Sequence, residues 1–205
     1  MVSLVLFVIA EVIFGDGPDV GDKADVILGF FKDNREQTLW ALFVHGFGVL
    51  AMIWFMAALV MAMRDAREQL LALTTGLSFV VALSLGSFST MMRMGLPVIV
   101  VGDLDAEIVA AIFRLGYLMD TSQNIISAGF FIPVGVVTLR TGFIAAWWGW
   151  VSVAAGFWAV ISTTAWNPDG FWSPGGAGYV NLVSYSIWLG GTSLLLLTRK
   201  REVNG

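Results

Sequence analysis

The sequence predicts an all-helical membrane protein, a polytopic transmembrane bundle forming a single domain over residues 1–205. Hydrophobic residues make up 58% of the chain, charged residues only 13%, and the mean hydropathy is +0.82. Soluble domains contain about 45–50% apolar and about 25% charged residues. A water-soluble fold of this size cannot bury so much apolar surface. Most of the chain is therefore expected to contact lipid.

Long uncharged runs predict about six membrane spans. A helix needs roughly 20 mainly apolar residues to cross about 30 Å of hydrocarbon. Five runs fit this length: 39–63, 70–92, 121–139, 143–164 and 179–197. A sixth apolar run, 1–14, opens the chain and predicts a short first span. The first positive charge is Lys23, and a cleaved secretory signal, which needs a basic start, fits this run poorly.

Two connecting segments are predicted to be amphipathic helices at the outer surface. In residues 22–37, Asp22 is the expected N-cap, and apolar side chains recur at helical spacing from Val26 to Phe31. Residues 104–118 repeat this scheme before the fourth span. A helix running unbroken from there to the end of that span would be about 54 Å long, so we expect a bend near 119–121.

The distribution of charge predicts the orientation. One side of the membrane receives six Lys and Arg and three carboxylates, whereas the other receives five Lys and Arg and eleven carboxylates, Asp103 and Asp169 among them. By the positive-inside rule, both termini are predicted to be cytoplasmic in a multi-pass protein of the plasma membrane. The inner cations are Arg64, Arg67, Arg140, Arg199, Lys200 and Arg201.

Short connections and small residues predict how the spans pack. The connections 64–69 and 140–142 are so short that the spans they join must form neighbouring hairpins. Small residues four positions apart allow helix backbones to approach closely in lipid. The pairs are Ala82 with Gly86, Ser152 with Gly156, and Ser186 with Gly190.

Several features together resemble a protein family. They are the acidic outer helix 24–37, the pair Trp54 and Phe55, and the stretches 138–142 (TLRTG) and 147–150 (WWGW). This set resembles a large group of uncharacterised actinobacterial membrane proteins of about six spans, a domain of unknown function, over nearly the whole chain. The resemblance implies the six-span fold and carries no activity with it.

This chain departs from the family pattern at two places. Members of the group usually begin with a longer first span. They also commonly carry a proline at the start of the fifth helix, where this chain has Ala145 and Ala146. The geometry at the start of the fifth helix is thus the least constrained part of the resemblance.

Two ionisable residues lie within predicted spans. A charge in lipid costs several kcal/mol, so such residues are candidates for function. Glu11 lies about one turn, and His45 about two turns, from the outer ends of their spans. The two side chains are candidates to share a proton or a hydrogen bond, as a proton-coupled permease would require. The alternative is structural: Glu11 reaches the interface or is protonated, and neutral His45 bonds to a neighbouring helix.

Polar residues near the outer ends of the fourth and sixth spans form a second candidate group. Facing one another, they would line a cavity for a small polar or amphipathic ligand, while hydrogen bonding between helices is the simpler interpretation. The candidate ligand-binding or proton-linked residues beyond Glu11 and His45 are Asp120, Gln123, Asn124, Asn181 and Tyr185.

The inventory of reactive residues argues against an enzyme. With one histidine and no cysteine, the chain cannot build a bis-histidine haem site, the usual zinc sites or a Cys–His nucleophile. The outer aspartates do not match the spacing of an EF-hand, and a methionine copper site at Met91, Met92 and Met94 competes with plain core packing. We expect no catalytic residue, no metal and no cofactor.

Three function classes remain. The first is a non-catalytic membrane subunit, sensor or scaffold, with the lipid bilayer and a membrane protein partner or a second copy of the chain as its contacts. The second is a small-solute or proton-linked permease or ligand-binding bundle. The third, an intramembrane enzyme, has the least support. Nucleic acid is excluded as a partner because the net charge is −4 and no long basic stretch exists.

Overall fold

The computed structural model describes residues 1–100, 104–167 and 170–203, and every regular element within these ranges is helical. This confirms the predicted fold class. Asp103 and Asp169 lie outside the described residues. The helices are α1 (Val2–Phe14), α2 (Ala24–Asp33), α3 (Arg35–Asp65), α4 (Gln69–Met94), α5 (Leu96–Ile99), α6 (Ala106–Ser122), α7 (Asn124–Thr141), α8 (Ala146–Ser162) and α9 (Tyr179–Val203), with a π-helical turn (Pro174–Gly178) before α9.

Four helical stretches are long and apolar enough to cross a membrane: Arg35–Asp65, Gln69–Met94, Ala106–Thr141 and Gly176–Thr198. The helices α1 and α8 are apolar but have only 13 and 17 residues. They coincide with the spans predicted at 1–14 and 143–164. Four of the six predicted spans therefore lie in helices of sufficient length, and crossing by α1 and α8 stays a prediction.

The outer segment 104–118 is the first part of a nearly continuous helical stretch. Asp105 caps α6, since its carboxylate accepts a hydrogen bond from the Glu107 backbone N–H at 2.7 Å. The helix is interrupted at Gln123, whose backbone stays helical at φ −69°, ψ −16°. The interruption falls just after the predicted bend at 119–121.

The outer segment 22–37 is divided, contrary to the prediction of one helix. Lys23, and not Asp22, occupies the N-cap position of α2, because the Asp22 carboxylate accepts instead from the Asp19 backbone N–H at 2.8 Å. At the other end, Asn34 folds its side-chain amide back onto the Phe30 carbonyl at 3.0 Å. This bond closes α2, and the chain continues from Asn34 into α3.

The main hydrophobic core lies between α3, α4, α7, α8 and α9. Its centre is aromatic: Phe131 contacts Trp188 edge-to-face with ring centroids 4.9 Å apart, and Phe130 lies 5.9 Å from the same indole ring. Edge-to-face pairs stabilise packing beyond the area that they bury. From α3, a stripe at helical spacing completes this core, consisting of Met52, Met56, Leu59 and Met63.

Glycines bring α7 and α8 into the closest backbone contact of the bundle core. A Cβ at Gly135 would lie 2.7 Å from the Gly149 carbonyl oxygen, and a Cβ at Gly149 would lie 3.1 Å from the Gly135 carbonyl oxygen. The two backbones therefore cross directly on each other. Of the predicted small pairs, Ser152 and Gly156 lie buried on α8, where Gly156 faces Ile132 of α7.

A second core joins the two outer amphipathic helices. Ile27 and Phe31 of α2 pack with Phe113 of α6, and the Phe31 and Phe113 rings lie 5.7 Å apart. Arg114 fixes the preceding loop, because its guanidinium donates to the backbone carbonyls of Val20 at 3.1 Å and Asp22 at 2.9 Å. We call this assembly of loop 15–23, α2, α5 and the start of α6 the outer cap.

The opposite end of the bundle holds both predicted hairpin turns and the first residue of the chain. Arg140 after α7 lies 3.9 Å from Glu68 before α4, and Gly142 ends α7 in the left-handed conformation at φ 64°. The Met1 ammonium donates to Ser193 of α9 at 3.2 Å, so both ends of the chain lie at this end of the bundle.

Candidate functional site

The candidate residues fall into two groups. Glu11, His45, Asp120 and Gln123 lie around a single arginine, Arg93, at the outer end of α4. The other three residues lie deeper between α3, α7 and α9 and form hydrogen bonds there; they are Asn124, Asn181 and Tyr185.

Arg93 and Asp120 are the centre of the first group. The Arg93 Nη2 lies 4.0 Å from the Asp120 Oδ2, and the Asp120 Oδ1 accepts a hydrogen bond from the Gln123 Nε2 at 2.7 Å. The guanidinium carbon lies 4.5 Å from the centre of the Tyr117 ring, in the geometry of a cation–π contact. One carboxylate, one amide and one aromatic face thus surround a single cation.

Close contact between α4 and α6 brings these groups together. A Cβ at Gly116 would lie 2.7 Å from the Arg93 side chain and 3.1 Å from the Ser89 carbonyl oxygen, so only glycine fits there. The Ser89 hydroxyl in turn donates to the Gly116 carbonyl at 2.8 Å. Gly86, one turn before Ser89, leaves the space that the Gln123 amide occupies.

Burial makes the ion pair asymmetric. The Arg93 side chain is 19% exposed and the Asp120 side chain 42% exposed. The Arg93 Nε is buried and lacks a hydrogen-bond partner among the described residues. Because the cation is deeper than its counter-ion, losing the carboxylate would leave a buried charge uncompensated, which is strongly unfavourable.

Glu11 and His45 approach this ion pair from α1 and α3. Phe7 lies one helical turn before Glu11 on α1, and its ring lies 4.9 Å from the His45 ring. Residues four apart share a helix face, so Glu11 and Phe7 both face α3. Arg93 and Asp120 are close enough to act electrostatically on both Glu11 and His45.

The structure does not join Glu11 directly to His45. Among the described residues, neither side chain makes a hydrogen bond or an ion pair within 4.0 Å. The interaction between them stays a prediction. What holds α1 in place nearby is Gln37 of α3, whose side-chain amide donates to the Ile13 carbonyl at 2.6 Å.

The second group is used in contacts between helices. The Asn181 amide donates to the Asn124 Oδ1 at 2.9 Å and links α9 to α7, with Asn124 only 8% exposed. The Tyr185 hydroxyl lies 3.6 Å from the Met52 sulfur. These contacts agree with the simpler interpretation of this group, hydrogen bonding between spans.

Two buried tryptophans follow the same pattern towards the opposite end. The Trp148 Nε1 donates to the Thr192 hydroxyl at 2.8 Å, and the Trp188 Nε1 donates to the Ser152 hydroxyl at 2.8 Å. A buried indole N–H requires such a partner. These bonds connect α8 to α9 and leave their polar atoms occupied.

Arg93 is the residue that sequence reasoning missed. The predicted span ended at Met92, which placed Arg93 in an outer loop, whereas α4 continues to Met94. Met91, Met92 and Met94 enclose Arg93 in an apolar context, and this was the one available signal. Its partner Asp120 and the ring of Tyr117 are distant in sequence, and no periodicity indicates their contact.

The described residues offer no metal centre, since no group of three or more His, Asp or Glu side chains could hold an ion. An open pocket of about 650 Å³ lies on the outer cap at the starts of α2 and α6. Its charged lining is mainly acidic and consists of Asp22, Lys23, Asp25, Asp105, Glu107 and Arg114.

The fold and the site together define a class: a helical membrane protein with an amphipathic outer cap and a charge cluster at the outer end of its bundle. We use "outer charge cluster" for Glu11, His45, Arg93, Tyr117, Asp120 and Gln123. No protein-family model, curated protein or solved structure matches the chain.

Proposed function

We propose that the protein is a non-catalytic integral membrane protein of the plasma membrane, acting as a subunit, sensor or scaffold. The observation that carries this proposal is the use of buried polar groups: Trp148, Trp188 and Asn124 each bond to another helix. Groups committed to such bonds hold helices together and are not free for chemistry. The relationship to the actinobacterial group stays a prediction.

The proposed orientation has both termini in the cytoplasm and the outer cap outside. Arg64, Arg67 and Arg140 lie at the end that holds both hairpin turns, as the positive-inside rule requires of a cytoplasmic end. The outer cap then presents its acidic pocket to the exterior. We propose that a partner would meet the protein there or along the lipid-facing helices.

Single cysteines test this orientation directly, since the chain has none. Asp16→Cys in the outer cap should react with a membrane-impermeant maleimide in intact cells. Arg67→Cys in the hairpin between α3 and α4 should react only after the cells are lysed. The opposite labelling pattern contradicts the orientation, and labelling of both sites in intact cells contradicts the membrane topology.

A proton-linked or small-solute permease is the second candidate, and the outer charge cluster favours it. Ionisable residues at bundle interfaces commonly mark ion or substrate pathways. Here Asp120 is partly exposed beside the buried Arg93, and Glu11 and His45 lie within electrostatic range. Such an arrangement can exchange a proton or position a small polar solute.

Proteoliposomes separate the two candidates. The protein is reconstituted with a pH-sensitive dye inside, and a potassium diffusion potential is imposed with valinomycin. A non-catalytic subunit or sensor gives the same proton leak as empty liposomes. A proton flux in the native protein that Asp120→Asn removes, and that the outer-cap control Glu107→Gln keeps, would reject the first function and support the second.

A further inference from the structure

We propose that the outer charge cluster binds one positive charge, a proton or a small monovalent cation, at Glu11. The inference deepens the second candidate function and rests on the same cluster, but it concerns equilibrium binding and not passage across the membrane. A sensor would need the same binding step, so the site does not depend on transport.

The argument begins with the charges of the cluster. It contains two carboxylates, Glu11 and Asp120, and one guanidinium, Arg93. Arg93 pairs with Asp120, which also receives the Gln123 amide. This pair is neutral as a whole, so the carboxylate of Glu11 is in excess.

Glu11 has no counter-ion of its own. Within the described part of the chain, no Lys or Arg side chain lies within 4.0 Å of its carboxylate. The residues around it on α1 are apolar, including Val8, Ile9 and Val12, which are exposed on the same helix. An ionised carboxylate in such surroundings is unfavourable unless it is neutralised. A bound positive charge removes this penalty.

The neighbouring elements contribute the other groups that face Glu11. From α3 comes His45, beside Phe7; from α4 comes Arg93, and from α6 come Asp120 and Tyr117. On α9, the nearest titratable group is Tyr185, whose hydroxyl contacts Met52. Asp120 attracts a cation towards the cluster and Arg93 repels it, so the bound charge is expected at the Glu11 side.

The position of Glu11 allows exchange with the outside. It lies about one turn before Phe14, the last residue of α1, where the chain enters the outer cap. Its side is classed with the exposed face of α1. A proton or cation can therefore reach the carboxylate without opening the packed core between α7 and α8.

Thermal unfolding of the purified protein in detergent tests the inference. If the bound charge is a proton, stability is highest at low pH, because the folded state binds a proton that the unfolded chain has lost, and it falls as pH rises. One such proton corresponds to a fall in Tm of about 3–5 °C per pH unit over the titration. If the bound charge is a metal cation, replacing choline by sodium or potassium at constant ionic strength and pH 8 raises Tm.

Glu11→Gln should remove this dependence, because glutamine mimics the neutral carboxyl. The matched control is Glu36→Gln, which changes an exposed carboxylate in the first turn of α3 and should retain the native dependence. His45→Gln identifies a contribution of the imidazole: the proposal requires the dependence to persist in this variant. If the dependence persists in Glu11→Gln, or if the native protein responds to neither pH nor cation, the proposal is wrong.

A second measurement covers the case in which Glu11→Gln does not fold. Infrared difference spectra of the native protein between low and high pH should contain the carbonyl stretch of a protonated carboxyl, or, with added cation at pH 8, a shift of a carboxylate band. Neither band change would overturn the proposal. Binding without flux in proteoliposomes leaves this inference standing and rejects only the permease.

Discussion

Replacing Gly135 by alanine should destabilise the bundle more than its single added methyl group suggests. The new Cβ would lie 2.6 Å from Val153 Cγ2, 2.7 Å from the Gly149 carbonyl oxygen and 3.0 Å from the Val153 nitrogen. Two of these atoms belong to the backbone of α8 and cannot rotate away. The helices must therefore separate.

The expected cost follows from the distances. Non-bonded contacts with carbon are optimal at about 3.5–4.0 Å, so α7 and α8 must move apart by roughly 1 Å. Overpacking of this kind typically costs about 1–3 kcal/mol, and alanine returns up to about 1 kcal/mol of helix propensity. We expect a net loss of about 1–2 kcal/mol, which lowers Tm by about 2–8 °C in a chain of this length.

The assay is thermal or denaturant unfolding in mixed micelles, with Gly46→Ala as the matched control. Gly46 also lies within a long apolar helix, but no atom lies within 4 Å of the Cβ that alanine would add. The control should therefore be as stable as the native protein or slightly more stable. If Gly135→Ala is equally stable, the direct backbone crossing of α7 and α8 is refuted.

Three further changes test other contacts. Thr192→Val removes the acceptor of the buried Trp148 N–H and should cost about 1–3 kcal/mol in unfolding free energy, since an indole donor is left unpaired. Asn124→Leu removes the link to α9, and a hydrogen bond between membrane helices is worth about 0.6 kcal/mol on average; adding Asn181→Leu should cost little more. Arg114→Met removes two hydrogen bonds to the outer loop and should speed proteolysis in residues 15–23 about tenfold while the Tm of the bundle changes little.

Each of these changes has a control and an outcome that contradicts it. Thr198→Val removes a hydroxyl that bonds only within α9, and its stability should match the native protein. Fully additive losses for the two asparagine changes would show that the amides do not interact. Lys32→Met is the control for Arg114→Met, and equal proteolysis of both variants would show that Arg114 does not hold the loop.

Much of the architecture was accessible from the sequence because composition and run length report the solvent of a chain. The long apolar helices α3, α4 and α9 enclose the runs predicted at 39–63, 70–92 and 179–197. The two short connections predicted as hairpins are turns at one end of the bundle. The predicted helix 22–37 was wrong as a single element, since a side-chain bond from Asn34 outweighed the continuous amphipathic pattern.

The candidate site was only partly accessible. An ionisable residue in an apolar run is visible in the sequence, which is how Glu11 and His45 were found. Arg93 was missed because it follows the predicted end of its span, and the end of a helix is the feature that patterns define least well.

The sequence by itself determined the helical class, the apolar solvent of most of the chain and the scarcity of chemistry within it. Only the tertiary structure decided that Arg93 meets Asp120 and that Gly135 crosses Gly149. The physical reason is that periodicity along one helix shows which of its faces is apolar. Which helix that face meets, and at what height, depends on packing between segments distant in the chain.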